Sequence, residues 1–199
     1  MIRELLLFIL LPYLIGSMPF GYLLGRWLSG RDIREVGSGN IGAANALRNF
    51  GITIGLLTLI LDACKGIIAV LIPYFFMKAS AIWCGLAALS VVLGHLFPIF
   101  LKFKGGKGFA TFIGGFFVLT PFAMVLSLIT FVVFAISTRI VSVGSLAASA
   151  SLPVFILLFP HYRSFLPFAT LVAVLIFVRH SSNIRNLIRR VEPKIGGKR

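Results

Sequence analysis

The sequence predicts an all-α, polytopic integral membrane protein with about seven transmembrane helices, its N-terminus outside and its C-terminus in the cytoplasm. Three observations carry this reading. Of the 199 residues 59% are hydrophobic, long apolar runs alternate with short polar segments, and the basic residues are distributed unevenly among those segments. A soluble domain of this length has no core large enough for so much apolar surface, so the bilayer must act as solvent. Only 12% of residues are charged, with 19 Lys+Arg against 5 Asp+Glu and a net charge of +14. The excess sits in short segments between apolar runs, so the expected partners are anionic lipid headgroups and phosphorylated substrates, not nucleic acid. Cys64 and Cys84 lie inside apolar runs and read as small core residues, neither a disulfide nor a metal pair.

The chain reads as one membrane-embedded domain over residues 1–199. Its first apolar run, residues 5–28, holds Pro12, Gly16 and Pro19, and is too long for a cleaved signal's apolar region. Buried prolines are tolerated where Ser17 or neighbouring helices satisfy the freed backbone. A polar segment, residues 29–51, leads to a second span over 52–76 that carries Asp62 and Lys65. Charges within a span are usually paired, and at i,i+3 these two share a helix face. The third span, 79–101, runs into a lysine-rich loop. The next apolar stretch exceeds the ~20 residues that one span needs, and Thr120-Pro121 breaks it into spans over 109–119 and 122–137. A loop over 138–145 precedes a sixth span over 146–159. A turn over 160–164 and a seventh span ending near Arg179 follow, and the tail from His180 is basic.

Seven crossings put the termini on opposite sides, and the basic residues set the direction. Arg26, Arg31, Arg34, Arg48, Lys102, Lys104, Lys107, Arg139, Arg179, Arg185, Arg189, Arg190, Lys194, Lys198 and Arg199 fall on one side, 15 of the 19. Arg3, Lys78 and Arg163 fall on the other. The first set is then cytoplasmic. Every unusual polar segment shares that face, so a single cytoplasm-facing site is expected.

Lys102-Phe103-Lys104-Gly105-Gly106-Lys107-Gly108 is the segment richest in chemical meaning. Glycines permit positive φ and expose N–H groups, which can form a concave anion site, and Lys107 adds a point charge. A phosphate is the simplest ligand. The spacing is not that of a P-loop. Orientation alone would require charge but not three interleaved glycines. The segment Ser38-Gly39-Asn40-Ile41-Gly42-Ala43-Ala44-Asn45, followed by Arg48, offers a hydroxyl and two amides, able to hold a carbonyl or phosphate without burying a charge, or to cap and turn the chain. In the tail, His180 and Asn183 share a helix face. His180 is either a general base or a structural group holding a backbone carbonyl. His95, near the cytoplasmic end of the third span, is similarly open, and His161 reads as surface. No HxxxxD pattern, GxSxG elbow or zinc ligand set is present. Any chemistry therefore rests on phosphate binding and positioning, not on an activated nucleophile. A transporter of phosphorylated metabolites and a purely structural membrane protein are the other classes. The first needs access from an outer face that holds few cations, and the second needs neither polar loop.

Together these segments resemble the bacterial acyl-phosphate:glycerol-3-phosphate acyltransferases (the PlsY family). Ser38 to Asn45, Lys102 to Thr111 and His180-Ser181-Ser182-Asn183-Ile184 carry the resemblance, with Leu61-Asp62-Ala63-Cys64-Lys65-Gly66 matching a second-span motif. Ala44 stands where the family often has Thr, Ser181 and Asn186 where it has Arg, and Arg190 where it has Gly, while Glu192 remains. The resemblance implies acyl transfer from acyl phosphate to the 1-hydroxyl of glycerol 3-phosphate. It implies lysophosphatidic acid as product, no metal or cofactor, a site on the cytoplasmic face of the bacterial inner membrane, and a soluble acyl-phosphate synthase as supplier. In this reading Lys107, Ser145, His180 and Asn183 are catalytic. Ser38, Gly39, Asn40, Gly42, Asn45, Arg48, Lys104, Gly105, Gly106, Gly108, Thr111 and Ser142 bind substrate and phosphate.

Overall fold

Pro19 divides the first apolar run. In the computed structural model, which describes residues 1–196, that run is α1 (Ile2–Leu5), a π-helical turn (Leu6–Leu10), α2 (Leu11–Ser17) and α3 (Phe20–Ser29). Proline disfavours helix in the residue before it, and Met18 is extended at ψ 115°. The Met18 carbonyl freed by this break accepts from Lys65 Nζ at 2.9 Å. Of the two sources expected for such a partner, a neighbouring helix supplies it, while Ser17 donates to Tyr13 O at 2.9 Å.

The chain forms two compact units, residues 1–119 and Thr120 onward. In the first, α4 (Ala43–Phe50) leads into α5 (Ile52–Leu71), followed by α6 (Ala81–Leu96) and α7 (Phe109–Leu119). Small residues let these helices approach backbone to backbone. A Cβ on Gly66 of α5 would strike the Thr111 carbonyl of α7, and one on Gly94 of α6 the Tyr13 carbonyl of α2. Phe112, Phe116, Val91, Val92 and Leu96 fill the space between, all fully buried. Ile52, Phe75, Phe76 and Ile82 face outward, as expected of surface solvated by lipid.

In the second unit α8 (Pro121–Thr138) and α9 (Val141–Leu157) form a hairpin, followed by a 3₁₀ segment (Pro160–Phe165), α10 (Leu166–Arg179) and α11 (Ser181–Ile188). Arg139 ends α8 at φ 58°, and the Ile140 N–H donates to Thr138 Oγ1 at 3.2 Å. The link is therefore two residues, not the expected loop over 138–145, and α9 starts five residues before the expected span. Val141-Ser142-Val143-Gly144-Ser145 reads as a loop in composition. It is helical because Gly144 packs closely on Phe131 and Ser145 Oγ returns to Val141 O at 3.0 Å.

Every regular element among the described residues is helical. Among the described residues, five helical segments are long and apolar enough to cross a membrane: Ile2–Ser29, Ile52–Phe76, Ala81–Leu101, Pro121–Thr138 and Pro160–Arg179. Phe109–Leu119 and Val141–Leu157 are shorter apolar helices. At 1.5 Å per residue α7 spans only about 17 Å and α9 about 26 Å, against a hydrocarbon thickness of about 30 Å. The expected breaks at Pro121 and after Phe159 are both present. Lys198 and Arg199 of the basic tail lie outside the described residues.

Candidate functional site

The glycine–lysine loop is built on the end of α6. After a 3₁₀ turn (Ile99–Leu101), Lys102 and Phe103 take positive φ, at 52° and 63°. The Phe103 N–H returns to Pro98 O at 2.9 Å, and the Gly106 N–H donates to His95 O at 3.1 Å. Of the loop glycines only Gly108 has positive φ, at 81°. Gly105 and Gly106 are needed for a different reason. A Cβ on Gly105 would meet the His95 and Leu96 carbonyls, and one on Gly106 the His95 imidazole. Lys107 is half-buried between buried Gly106 and Gly108, whereas Lys102 and Lys104 are exposed. The Phe112 N–H closes the first turn of α7 onto Gly108 O at 2.8 Å. The loop therefore ends on a helix N-terminus, the positive end of its dipole. Thr111 lies buried in that first turn, and its hydroxyl has no hydrogen-bond partner among the described residues.

The segment around residues 38–48 folds beside this loop. Ile33, Ile41, Ala46 and Ile54 form one buried cluster with Leu101, the residue that leads into the lysine loop. Asn45 shapes the segment from within. Its Nδ2 donates to Ile33 O, Val36 O and Asn40 O at 3.2, 3.1 and 3.0 Å, and its Oδ1 accepts from Ser38 N at 3.0 Å and Asn49 Nδ2 at 2.9 Å. Asn40 Oδ1 accepts the Gly42 N–H at 2.8 Å, and Gly39 turns at φ 67°. Ser38 and Arg48 are exposed, and Arg48 sits in the last turn of α4. Sequence reasoning passed over Asp32 and Arg34, which brace the same segment. Asp32 Oδ1 caps the Arg34 N–H at 2.9 Å, and the Arg34 guanidinium pairs with the Asp32 carboxylate at 2.6 Å while lying 4.7 Å from the Tyr22 ring. The hydrogen bond from Arg34 holds the Asp32 carboxyl below its ordinary pKa. The signal was an acid two residues before a base, immediately after a helix end.

In the second unit, Glu192 gathers two of the expected residues. Its Oε1 accepts from Ser142 Oγ at 2.7 Å and from Asn183 Nδ2 at 2.5 Å. The tail is held by Arg139 as well, since the Ile195 N–H donates to Arg139 O at 2.6 Å and Arg139 Nη2 to Ile195 O at 3.1 Å. Glu192 was legible only as a surviving tail acid, because nothing in the sequence says which helix its carboxylate meets. His180 is buried, with Nδ1 2.8 Å from Ile176 O. That contact is the structural alternative weighed for this histidine, and it fixes Nδ1 as the protonated nitrogen. Ser145 is buried one turn into α9.

Asp62 and Lys65 pair within α5 as their spacing predicts, with Nζ 2.8 Å from Oδ1. His95 joins them from α6, its Nδ1 2.9 Å from Lys65 Nζ.

Comparison with known proteins places this arrangement. A family model described as glycerol-3-phosphate acyltransferase matches residues 6–190. A glycerol-3-phosphate acyltransferase of Desulforamulus reducens is 43% identical, over 94% of this chain and 93% of its own. A glycerol-3-phosphate acyltransferase 2 of Thermotoga maritima is 45% identical, over 95% of each chain. Two crystal structures of PlsY, an integral membrane glycerol 3-phosphate acyltransferase, superpose on 98% of this chain. The glycerol 3-phosphate form gives a TM-score of 0.90 at 35% identity and the lysophosphatidic acid form 0.87 at 34%, each covered over 96% of its length.

Proposed function

Because this chain belongs to the glycerol-3-phosphate acyltransferase (PlsY) family, we propose that it moves a fatty acyl group from acyl phosphate to the 1-hydroxyl of glycerol 3-phosphate. The products are lysophosphatidic acid and inorganic phosphate. The observation that carries this reading is the loop Gly105 to Gly108, which is packed on the end of α6, holds half-buried Lys107 and opens onto the N-terminus of α7.

An acyl phosphate suits such a loop. The attacking hydroxyl oxygen bonds to the acyl carbonyl carbon, the bond from that carbon to the phosphate oxygen breaks, and the phosphate leaves with the electron pair. The donor is already activated, so positioning and charge stabilisation are sufficient and no acyl-enzyme forms. In this proposal Lys107, with the backbone N–H groups of Gly105 and Gly108 and with Thr111, holds the leaving phosphate. The Gly106 N–H pins the turn to His95 O at 3.1 Å, which gives Gly106 a shaping role in place of the expected contact. Lys104, at the exposed edge, draws anions toward the loop. Ser38, Asn40 and Arg48 orient the second substrate on a segment whose shape Gly39, Gly42 and Asn45 maintain. The hydroxyl proton passes to a phosphate oxygen of the substrate. Ser145, His180 and Asn183, which the family resemblance marks as catalytic, lie in the second unit, where Ser142 and Asn183 both donate to Glu192. The site faces the cytoplasm of the bacterial inner membrane, with seven crossings and an outer N-terminus, and a soluble synthase supplies the acyl phosphate.

The test is purified protein in detergent, given glycerol 3-phosphate with acyl phosphate, acyl-CoA or acyl-carrier protein. Turnover is expected with acyl phosphate alone. Lys107→Ala removes a charge-assisted contact and lowers turnover by roughly 10- to 150-fold, or about 1.5–3 kcal/mol. His180→Ala costs less if the substrate carries the proton. Robust acylation from acyl-CoA overturns the donor assignment. Uptake of glycerol 3-phosphate into vesicles without acylation overturns the enzyme reading.

A further inference from the structure

Three ionisable side chains lie buried beneath the phosphate loop, and the proposed reaction uses none of them. Asp62, Lys65 and His95 are each less than 6% exposed, inside helices whose neighbours are apolar. Buried charges in a membrane protein are costly and persist where they carry out a function. The three groups contact one another directly. The Lys65 ammonium has three protons and three acceptors: Met18 O at 2.9 Å, His95 Nδ1 at 2.9 Å and Asp62 Oδ1 at 2.8 Å. The last is an ion-pair distance without the angle of a good hydrogen bond. Asp62 Oδ1 also lies 3.5 Å from His95 Nδ1. One ammonium thus ties α5 to the break between α2 and α3 and to the end of α6.

The end of α6 is the floor of the loop. The His95 carbonyl accepts the Gly106 N–H at 3.1 Å, and the His95 ring occupies the space where a Gly106 side chain would begin. Donation from Lys65 makes His95 Nδ1 the acceptor, so the ring is held at Nδ1 and presents its Nε2 edge to Gly106. A ring free to rotate would leave Gly106 without a fixed neighbour on that side.

We propose that Asp62, Lys65 and His95 form a positioning network for the loop: Lys65, charge-balanced by Asp62, fixes the His95 imidazole, and His95 sets the height and tilt of Gly105-Gly106. The inference rests on reading the loop as the donor-phosphate site, and a proton pathway through the same residues is its competitor. His95→Asn tests it, because the asparagine Oδ1 still accepts from Lys65 while the ring edge against Gly106 is lost. The expected result is a detergent melting temperature near that of the wild type and kcat within about threefold. KM for acyl phosphate and the inhibition constant for inorganic phosphate both rise on the order of tenfold, the effect of one misplaced hydrogen bond to a charged group. Gly106→Ala probes the same contact from the loop side without disturbing a buried charge, and should give the same split. If both variants keep wild-type KM and phosphate inhibition, or if either loses kcat alone, the proposal is overturned. Lys107→Ala measured alongside separates the two readings. Normal phosphate inhibition in Lys107→Ala removes the phosphate site itself. Weakened inhibition there, with His95→Asn and Gly106→Ala unchanged, leaves the site standing and removes only the network.

Discussion

Replacing Asn45 by alanine should collapse the Ser38 to Arg48 segment while leaving every proposed contact residue in the chain. The side chain is 2% exposed and makes five contacts. An amide has two N–H protons, so one of the three carbonyls shares a proton with another, and four hydrogen bonds are lost in effect. At about 1 kcal/mol net for each, the loss approaches 4 kcal/mol. Water reaches part of the segment, because Ser38 is exposed and Val36 only half-buried. The cost is therefore about 2–4 kcal/mol, or on the order of 10 °C in melting temperature. Asn45→Asp should be at least as severe, since it keeps the acceptors but sets a carboxylate against three carbonyl oxygens. The assay is thermal unfolding of purified protein in detergent, beside KM for glycerol 3-phosphate. An Asn45→Ala protein that melts with the wild type and keeps its KM refutes this account of the loop.

Two further outcomes are expected. Cysteines introduced at Lys104 and Lys194 should react only with reagent on the cytoplasmic side, and one at Lys78 only from outside; labelling of Lys104 and Lys78 from the same side contradicts the orientation drawn from the basic residues. Asp32 has a depressed pKa in the folded protein because of its hydrogen bond to Arg34. Its contribution to stability is therefore fully present above the ordinary carboxylate value of about 3.9 and is lost as the pH falls through the lower folded value. The stability gap between wild type and Asp32→Asn should be constant at neutral pH and close below about pH 4; a gap that widens on acidification contradicts the assignment.

Much of the scaffold was legible because apolar length and proline position report directly on the solvent of each segment. The breaks at Pro121 and Pro160 follow from the missing N–H and the restricted preceding residue. The same restriction also breaks the first run at Pro19, which the sequence reading carries through as one span. The start of α9 was not legible. Val141 to Ser145 has the composition of a loop, and it is helix where Gly144 packs closely on Phe131 and Ser145 Oγ bonds back to Val141 O. At the site, the motifs marked the right segments but not the partners. Asn45 reads as a ligand group in sequence, yet its amide is engaged by the backbone around it. Glu192 and His95 take their meaning from residues 50 and 30 positions away, respectively Ser142 and Lys65. No local pattern encodes such a contact.

The loop glycines show how two physical requirements share one composition. Gly108 needs a positive φ to turn the chain into α7, a demand that any residue with a Cβ meets only with strain. Gly105 and Gly106 have no such dihedral. They are excluded from larger residues by what lies behind them, the last carbonyls of α6 and the His95 ring. That wall is not free to yield. His95 is held at Nδ1 by Lys65, and Lys65 is held by Asp62 and by the carbonyl that Pro19 frees at Met18. A side chain added at Gly106 would therefore press on the His95 ring, and the loop is the part less firmly held. A proline in the first span, an ion pair in the second and a histidine in the third thus bear on the position of one backbone turn. The glycines are readable from the sequence, but the reason Gly105 and Gly106 are glycine lies about ten positions back, at the end of α6.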